Sequence, residues 1–391
     1  MKIAIFTNNY LPNQYGVSGS IESFRKQFEK MGHTVYIFAP KYKKYYDDNK
    51  NVFRFPSLDI KYKIKFPLPI FSSKKIQKKI EEIDFDIIHS QHPNLLGKRA
   101  MRWAKKKKIP IVFTWHTLYD QYTHYIPLIP KKIATRWAIK NAVNYANEVD
   151  QIVVPTKSVK KIIKNWGVKN RRIDNVSTGV DEKKFQNTNG DKLREKLKIP
   201  KNKKIILSIS RLTKEKNVEF LLETTIKILQ KNPEAVFIFG GDGFLKDKLE
   251  KRVKESGLEG RIWFSGLIDS WEVKNYLSIA DIFVYASMSE TQGMIISEAM
   301  YTGLPIVAVK ATGIKNLIQN NQSGLLSAND EDEFFEIVNS LLANDKLQEK
   351  LSFNAKKIAN KEYTSKACAR KMLKIYNKVI LDYNFHRKEL I

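Results

Sequence analysis

Glu290 and Glu298 stand eight positions apart in the run Ser289-Glu290-Thr291-Gln292-Gly293-Met294-Ile295-Ile296-Ser297-Glu298-Ala299-Met300. Two carboxylates at such a spacing are a possible catalytic pair for sugar chemistry, as in retaining glycosidases, where one is the acid and the other the nucleophile. Glu290 falls in a polar loop after the apolar, strand-like run Ile282 to Ala286, and Glu298 opens a helix-like stretch that stops at Gly303-Leu304-Pro305. Gly293 lets backbone come close to a ligand, and the free amides of a helix start favour an anion. Carboxylates near a helix start are also favoured by the helix dipole alone. A second group lies upstream in Ser210-Arg211-Leu212-Thr213-Lys214-Glu215-Lys216-Asn217. There the Arg211 guanidinium can fork across two phosphate oxygens and the Lys216 ammonium can supply a point charge. Together these residues suit a phosphorylated sugar.

The elements that must hold them alternate along the chain. Apolar, β-branched runs at Ile3 to Phe6, Val35 to Ala39, Ile87 to His89, Ile111 to Thr114 and Gln151 to Pro155 predict strands, with helices such as Ile21 to Lys30 and Leu95 to Lys107 between them. The second half repeats the pattern at Lys204 to Ile209, Val236 to Phe239, Ile262 to Phe264, Ile282 to Tyr285 and Pro305 to Val309. This predicts an α/β chain of two doubly wound parallel sheets, as residues 1–185 and 191–362, with Gln186 to Gly190 as linker and a helical segment over 363–391. Ligands of such sheets bind beyond the carboxyl ends of the strands, so two facing sheets would work across a cleft. Every candidate motif follows a predicted strand. Gly16 lies in the loop Asn8 to Gly19, His116 in Thr114 to Tyr125, and His89 and His92 in Asp86 to Pro93. Gly240 opens Gly240-Gly241-Asp242-Gly243, and Ile268 closes Ser265-Gly266-Leu267-Ile268.

The string from Glu290 through Glu298-Ala299-Met300 to Gly303-Leu304-Pro305-Ile306-Val307-Ala308 resembles the signature of the retaining glycosyltransferases of family 4. Gln292 stands where that family commonly has an aromatic residue, a departure that resembles its lipid-glycosylating branch. The string from His116-Thr117 through Tyr119-Asp120 to Tyr122, His124 and Tyr125 is similar to the 1,2-diacylglycerol 3-glucosyltransferase branch. The resemblance implies the GT-B fold, with the final helix crossing back to the first domain. It implies that Glu290 binds hydroxyls of the donor sugar and Glu298 the nucleotide ribose, that Arg211 and Lys216 bind the diphosphate, and that His116 meets the sugar near the reacting carbon. Gly16, Gly240, Ile268, Gly293, Met294 and Ile295 would complete the donor site. His89, His92, Tyr122, His124 and Tyr125 would line the acceptor side. The implied reaction moves a hexose from a UDP-sugar to diacylglycerol with retention. No tightly bound cofactor is implied and no metal ligand is assigned, and Mg²⁺ stimulation is left open. Asp84-Phe85-Asp86 has the letters of a metal site but leads straight into the Ile87 strand.

With 391 residues, 42% of them hydrophobic, the chain can fill two cores. Its single cysteine leaves no disulfide framework. No run approaches the ~20 apolar residues that span a bilayer, so membrane contact is expected to be peripheral, on the cytoplasmic face. The net charge is +28, of which residues 1–185 carry +21. Such a field attracts nucleic acid and anionic membranes alike, and the chain lacks base-stacking or groove-reading modules. Basic and apolar residues mix around Lys61, Lys63, Lys65 and Phe66, again at Lys75, and in the segment ending at Trp166. These are the expected membrane surface. Oligomeric state is not legible.

Overall fold

The computed structural model describes residues 1–13, 16–61, 65–69, 73–122 and 130–388. Two compact units divide the chain. Residues 1–179 and the helix from Ser365 form the first, and Val180–Thr364 the second.

In the first unit, β1 (Lys2–Phe6), β2 (Thr34–Pro40) and β3 (Val52–Phe55) spread to one side. A hairpin of β4 (Leu58–Lys61) and β5 (Lys65–Leu68) follows, and then β6 (Ile87–Ser90), β7 (Ile111–Thr114), β8 (Gln151–Val154) and β9 (Ile173–Asn175) continue from β1 on the other side. The order is β3-β2-β1-β6-β7-β8-β9, with every neighbouring pair parallel. The strands read as short, unbroken apolar runs because both faces of the sheet are covered. One face packs on residues such as Leu96, Ala142 and Val159, the other on Ile21, Phe28, Met372 and Tyr376. The helix Ser365–Lys388 contributes a stripe at helical spacing, Cys368, Ala369, Met372, Leu373, Tyr376 and Val379, to that second core. It is also tied by its first residue, whose Oγ accepts from Gln27 Nε2 at 2.8 Å.

The second unit repeats the arrangement with β10 (Lys204–Ile209), β11 (Ala235–Gly240), β12 (Ile262–Phe264), β13 (Ile282–Tyr285), β14 (Ile306–Val309) and β15 (Leu325–Ser327), ordered β12-β11-β10-β13-β14-β15 and all parallel. In each sheet the order reverses once, beside β1 and beside β10. These are the switch points where a doubly wound sheet opens a crevice at its carboxyl edge.

The expected central strands are present, with ends shifted by one residue or not at all. The unexpected strands are β4 and β5, which pair with each other apart from the large sheets, and β3, β9 and β15 at sheet edges, where a strand tolerates polar residues such as Arg54, Asp174 and Asn175. The expected linker, Gln186 to Gly190, is corrected. Its carbonyls at Gln186 and Asn187 accept from Lys274 Nζ at 2.8 and 2.9 Å, Asn189 N donates to Asn275 Oδ1 at 2.7 Å, and Gly190 begins a helix of the second unit.

Candidate active site

In the second unit the loops leaving β10 and β13 meet at the switch point. The first closes as a single 3-10 turn, Lys214–Lys216, and reverses at Asn217 in the left-handed region (φ 56°) to start the helix Val218–Lys231. This turns the Glu215 carbonyl toward the second loop, where it accepts from Met288 N at 3.2 Å and Ser289 Oγ at 3.4 Å. The two loops are thereby stitched together, and Lys216 pairs with Glu290. One carboxylate oxygen, Glu290 Oε1, accepts from Lys216 Nζ, from the Tyr285 hydroxyl at 2.7 Å and from Ser287 Oγ at 3.1 Å. Lys216 and Glu290 are only 10% and 14% exposed, so each carries a charge that would be costly without the other. Gly313, at φ +82°, packs beneath. A Cβ there would stand 2.6 Å from the Glu290 carbonyl oxygen, so only glycine lets the β14 loop support this segment.

Gly293 (φ 82°) caps the helix Met294–Thr302 without a side-chain partner; the Ile296 amide donates to the Gly293 carbonyl at 3.0 Å, which leaves the Met294 and Ile295 amides of the first turn available to an anion. Arg211 is half exposed and pairs with Glu215 at 3.2 Å. Glu298, on the same helix, accepts no hydrogen bond from a described residue. Removal from water pushes its carboxyl up to about 7, opposed by the nearby Lys184 ammonium, which also stands 5.4 Å from the centre of the Trp271 ring. A carboxylate desolvated in this way gains most from hydroxyl donors. Gly240 and Ile268 turn out to meet each other. Both are buried, and a Cβ on Gly240 would lie 2.7 Å from Ile268 Cδ1, so they offer a ligand backbone only.

In the first unit the loops after β1, β6 and β7 gather around two histidines, His92 and His116. His92 Nδ1 accepts from Asn8 N at 3.1 Å, which fixes the ring with its proton on Nε2, and burial lowers its pKa to about 4. His116 Nε2 donates to Gln91 Oε1 at 2.7 Å, so Nδ1 is left as the acceptor. Burial, then His92 and His89, hold His116 neutral by lowering its pKa to about 3. His116 and His92 are thus uncharged groups that can order hydroxyls. Gly16, exposed and at φ 57°, caps the helix Val17–Lys30 with open space around it.

Other expected residues stand elsewhere. His89 is a correction. It lies 3% exposed within β6, its ring nitrogens bonded to the Tyr376 hydroxyl at 2.5 Å and Thr114 Oγ1 at 2.6 Å, so it is a core residue and not a cleft wall. Trp166 is corrected as well, since it packs 5.9 Å from Trp115 against the core. Lys75 is exposed on the helix Lys74–Glu82, and Lys61, Lys65 and Phe66 are in the β4–β5 hairpin. Tyr122 ends the short helix Tyr119–Tyr122, and Lys63, His124 and Tyr125 lie outside the described residues. Tyr285, Ser287, Gly313, Gln91 and Lys184 were missed. Only Gly313 carried a signal, a glycine shortly after a strand.

Two Rossmann-like domains, the second with a carboxylate clamped beside a lysine at its switch point, define a glycosyltransferase of the GT-B fold. Residues 15–184 match the model described as Glycosyltransferase Family 4, and residues 189–358 that described as Glycosyl transferases group 1. The chain belongs to the glycosyltransferases built from these two domains. It is 29% identical to the alpha-monoglucosyldiacylglycerol synthase of Acholeplasma laidlawii over 96% of both chains, and 29% identical to that of Streptococcus pneumoniae over 89% of this chain and 80% of the relative. A UDP-Gal:alpha-D-GlcNAc-diphosphoundecaprenol alpha-1,3-galactosyltransferase of Escherichia coli is also 29% identical, over 81% of each. Among solved structures, Anabaena HepE in complex with UDP and glucose is similar with a TM-score of 0.74 at 18% identity, covering 97% of this chain and all of that one. Sucrose-phosphate synthase from Thermosynechococcus elongatus has a TM-score of 0.79 at 17% identity, covering 97% and 99%.

Proposed function

We propose that this chain is a retaining hexosyltransferase that moves glucose from UDP-glucose to the free hydroxyl of 1,2-diacylglycerol, making an α-glycosyl-diacylglycerol at the cytoplasmic face of the cell membrane. The observation that carries the reading is the Lys216–Glu290 pair at the switch point, in a chain similar over most of its length to two alpha-monoglucosyldiacylglycerol synthases.

Breaking the bond between the anomeric carbon and phosphate leaves oxocarbenium character on the sugar and extra charge on the diphosphate. Fixed cations and amides at the phosphate therefore lower the barrier. Lys216, Arg211 and the first amides of the Met294–Thr302 helix supply them. Lys216 is preset, because its ion pair already holds the ammonium in place. Glu290 keeps acceptor capacity for the sugar hydroxyls and positions the ring. The acceptor hydroxyl bonds to the anomeric carbon on the face the diphosphate leaves, and its proton passes to the departing phosphate oxygen. Neutral His116 orders a hydroxyl near that carbon without adding charge. Glu298 takes the ribose.

A second reading keeps the donor chemistry and changes the acceptor to a polyprenyl-linked sugar, the substrate class in the name of the E. coli relative. Incubation with UDP-glucose, UDP-galactose and GDP-mannose in turn, with diacylglycerol or a diphosphoundecaprenol-linked sugar in micelles, separates the two. The expected product is glucosyl-diacylglycerol by mass, with an α anomeric coupling by NMR. Label found only in the polyprenyl fraction would reject the diacylglycerol reading.

A further inference from the structure

The helix Lys131–Glu148 is the long return leg of the crossover from β7 to β8, reaching the sheet's amino edge at Gln151. Its first turns therefore stand at the carboxyl edge, the end from which His116 emerges. Its inner side is small and buried, through Ala134, Ala138 and Ala142. The opposite side breaks the usual pattern of a surface helix. Ile133 and Trp137, one turn apart, are each 60% exposed. Beside them Lys132, Arg136 and Lys140 are exposed, and none makes an ion pair among the described residues. On that outward side the lone acid is Glu148, at the far end and already paired with Lys105 at 2.9 Å.

A helix that shows water an isoleucine and a tryptophan, flanked by unpaired cations, has the chemistry of a bilayer interface. The indole seats at headgroup depth, the isoleucine enters the acyl boundary, and long basic side chains reach anionic phosphates. We infer that residues 132–140 of this helix are the seat of the first unit on an anionic lipid bilayer, set at the sheet edge that carries His116 and His92. The inference rests on the proposed lipid acceptor and adds where the enzyme touches its source. It replaces Trp166, which is partly buried against the core beside Trp115, as the aromatic anchor.

Flotation of the full chain with vesicles of phosphatidylglycerol and phosphatidylcholine tests it. Ile133→Ser with Trp137→Ser should lower partitioning at least tenfold. Replacing Lys132, Arg136 and Lys140 by Gln should lower it about fivefold per cation on anionic vesicles, and should flatten the loss of binding that wild type shows as salt rises. Both variants should keep wild-type UDP affinity, melting temperature and transfer to diacylglycerol dispersed in detergent. Wild-type partitioning in both variants overturns the inference and leaves the acceptor reading intact. Failure of the detergent assay in wild type removes the acceptor reading instead. A change in oligomeric state in sedimentation velocity, with partitioning unchanged, would make this face a self-association surface and overturn the inference.

Discussion

Replacing Glu298 by Gln removes a charge while keeping the side chain's size, and the surroundings of Glu298 give the effect a sign. Burial lifts the carboxyl from 4.5 to about 7. At 1.36 kcal/mol per pH unit, that gap costs the ligand-free protein about 3 kcal/mol once the group is ionised. Between those two values the folded protein holds a proton that the unfolded chain has released. The associated stability is therefore fully present below pH 4.5 and lost as pH rises through 7. Glutamine does not titrate, so Glu298→Gln should match wild type near pH 4.5 and exceed it at pH 8 by up to about 3 kcal/mol. Partial exposure of the side chain makes this a ceiling. A unit of this size moves by about 2–4 °C per kcal/mol, so calorimetry without ligand should find the second unit melting some 5–10 °C higher in the variant at pH 8. UDP binding should move the other way, weaker in the variant and without the gain from pH 6 to 8 that ionisation gives wild type. Equal shifts in melting at both pH values would refute the desolvation argument, and unchanged UDP affinity would refute the ribose role.

The Glu290 clamp and the histidine cluster give further expectations. Tyr285→Phe removes one of three donors to Glu290 Oε1, a charge-assisted bond worth about 1.5–3 kcal/mol; turnover should fall roughly tenfold or more with UDP affinity kept, as steady-state kinetics beside calorimetric titration will show. Glu290→Ala should cut turnover and Glu298→Ala chiefly nucleotide affinity, and equal effects on affinity would undo that division. Gly313→Ala forces a Cβ at positive φ against the Glu290 carbonyl and should destabilise the second unit by about 1–3 kcal/mol, with greater loss of activity, measured by denaturant unfolding and initial rates. His89, His92 and His116 have pKa values lowered to about 3 or 4, so their stability is present above 6.5 and lost as pH falls toward 4, at up to about 1.4 kcal/mol per pH unit for each. A melting temperature of the first unit that stays flat from pH 7 to 5 counts against this.

The central strands were readable because enclosure on both faces writes an uninterrupted apolar run, and β7, β10 and β13 have the ends their sequences suggest. Of the edge strands, β12 kept the apolar run Ile262 to Phe264 and was legible, whereas β3 and β9 were not, since a strand with one neighbour can carry Arg54 or Asp174 without penalty. At the candidate site, the loops after strands that carry Lys216 and Glu290 were legible, and the structure brings these two side chains together. Their supports were not legible. Tyr285 looks like any strand residue, and its role comes from the bend that turns Glu290 back over it. His89 and His116 are both histidines at strand ends in sequence. Which one is enclosed depends on Tyr376, nearly three hundred residues away, whose hydroxyl claims His89.

The chain leaves the first unit at Val180 and re-enters it after Thr364, and the two crossings lie side by side, with Val180 N donating to the Tyr363 carbonyl at 2.7 Å. During synthesis the second unit is thus a continuous stretch that can fold as soon as it clears the ribosome. The first must wait for its last helix, holding Ile21, Phe28 and the apolar face of its sheet uncovered while some two hundred further residues are made. The half of the protein that is translated first is completed last, and in that interval it is the natural client for a chaperone.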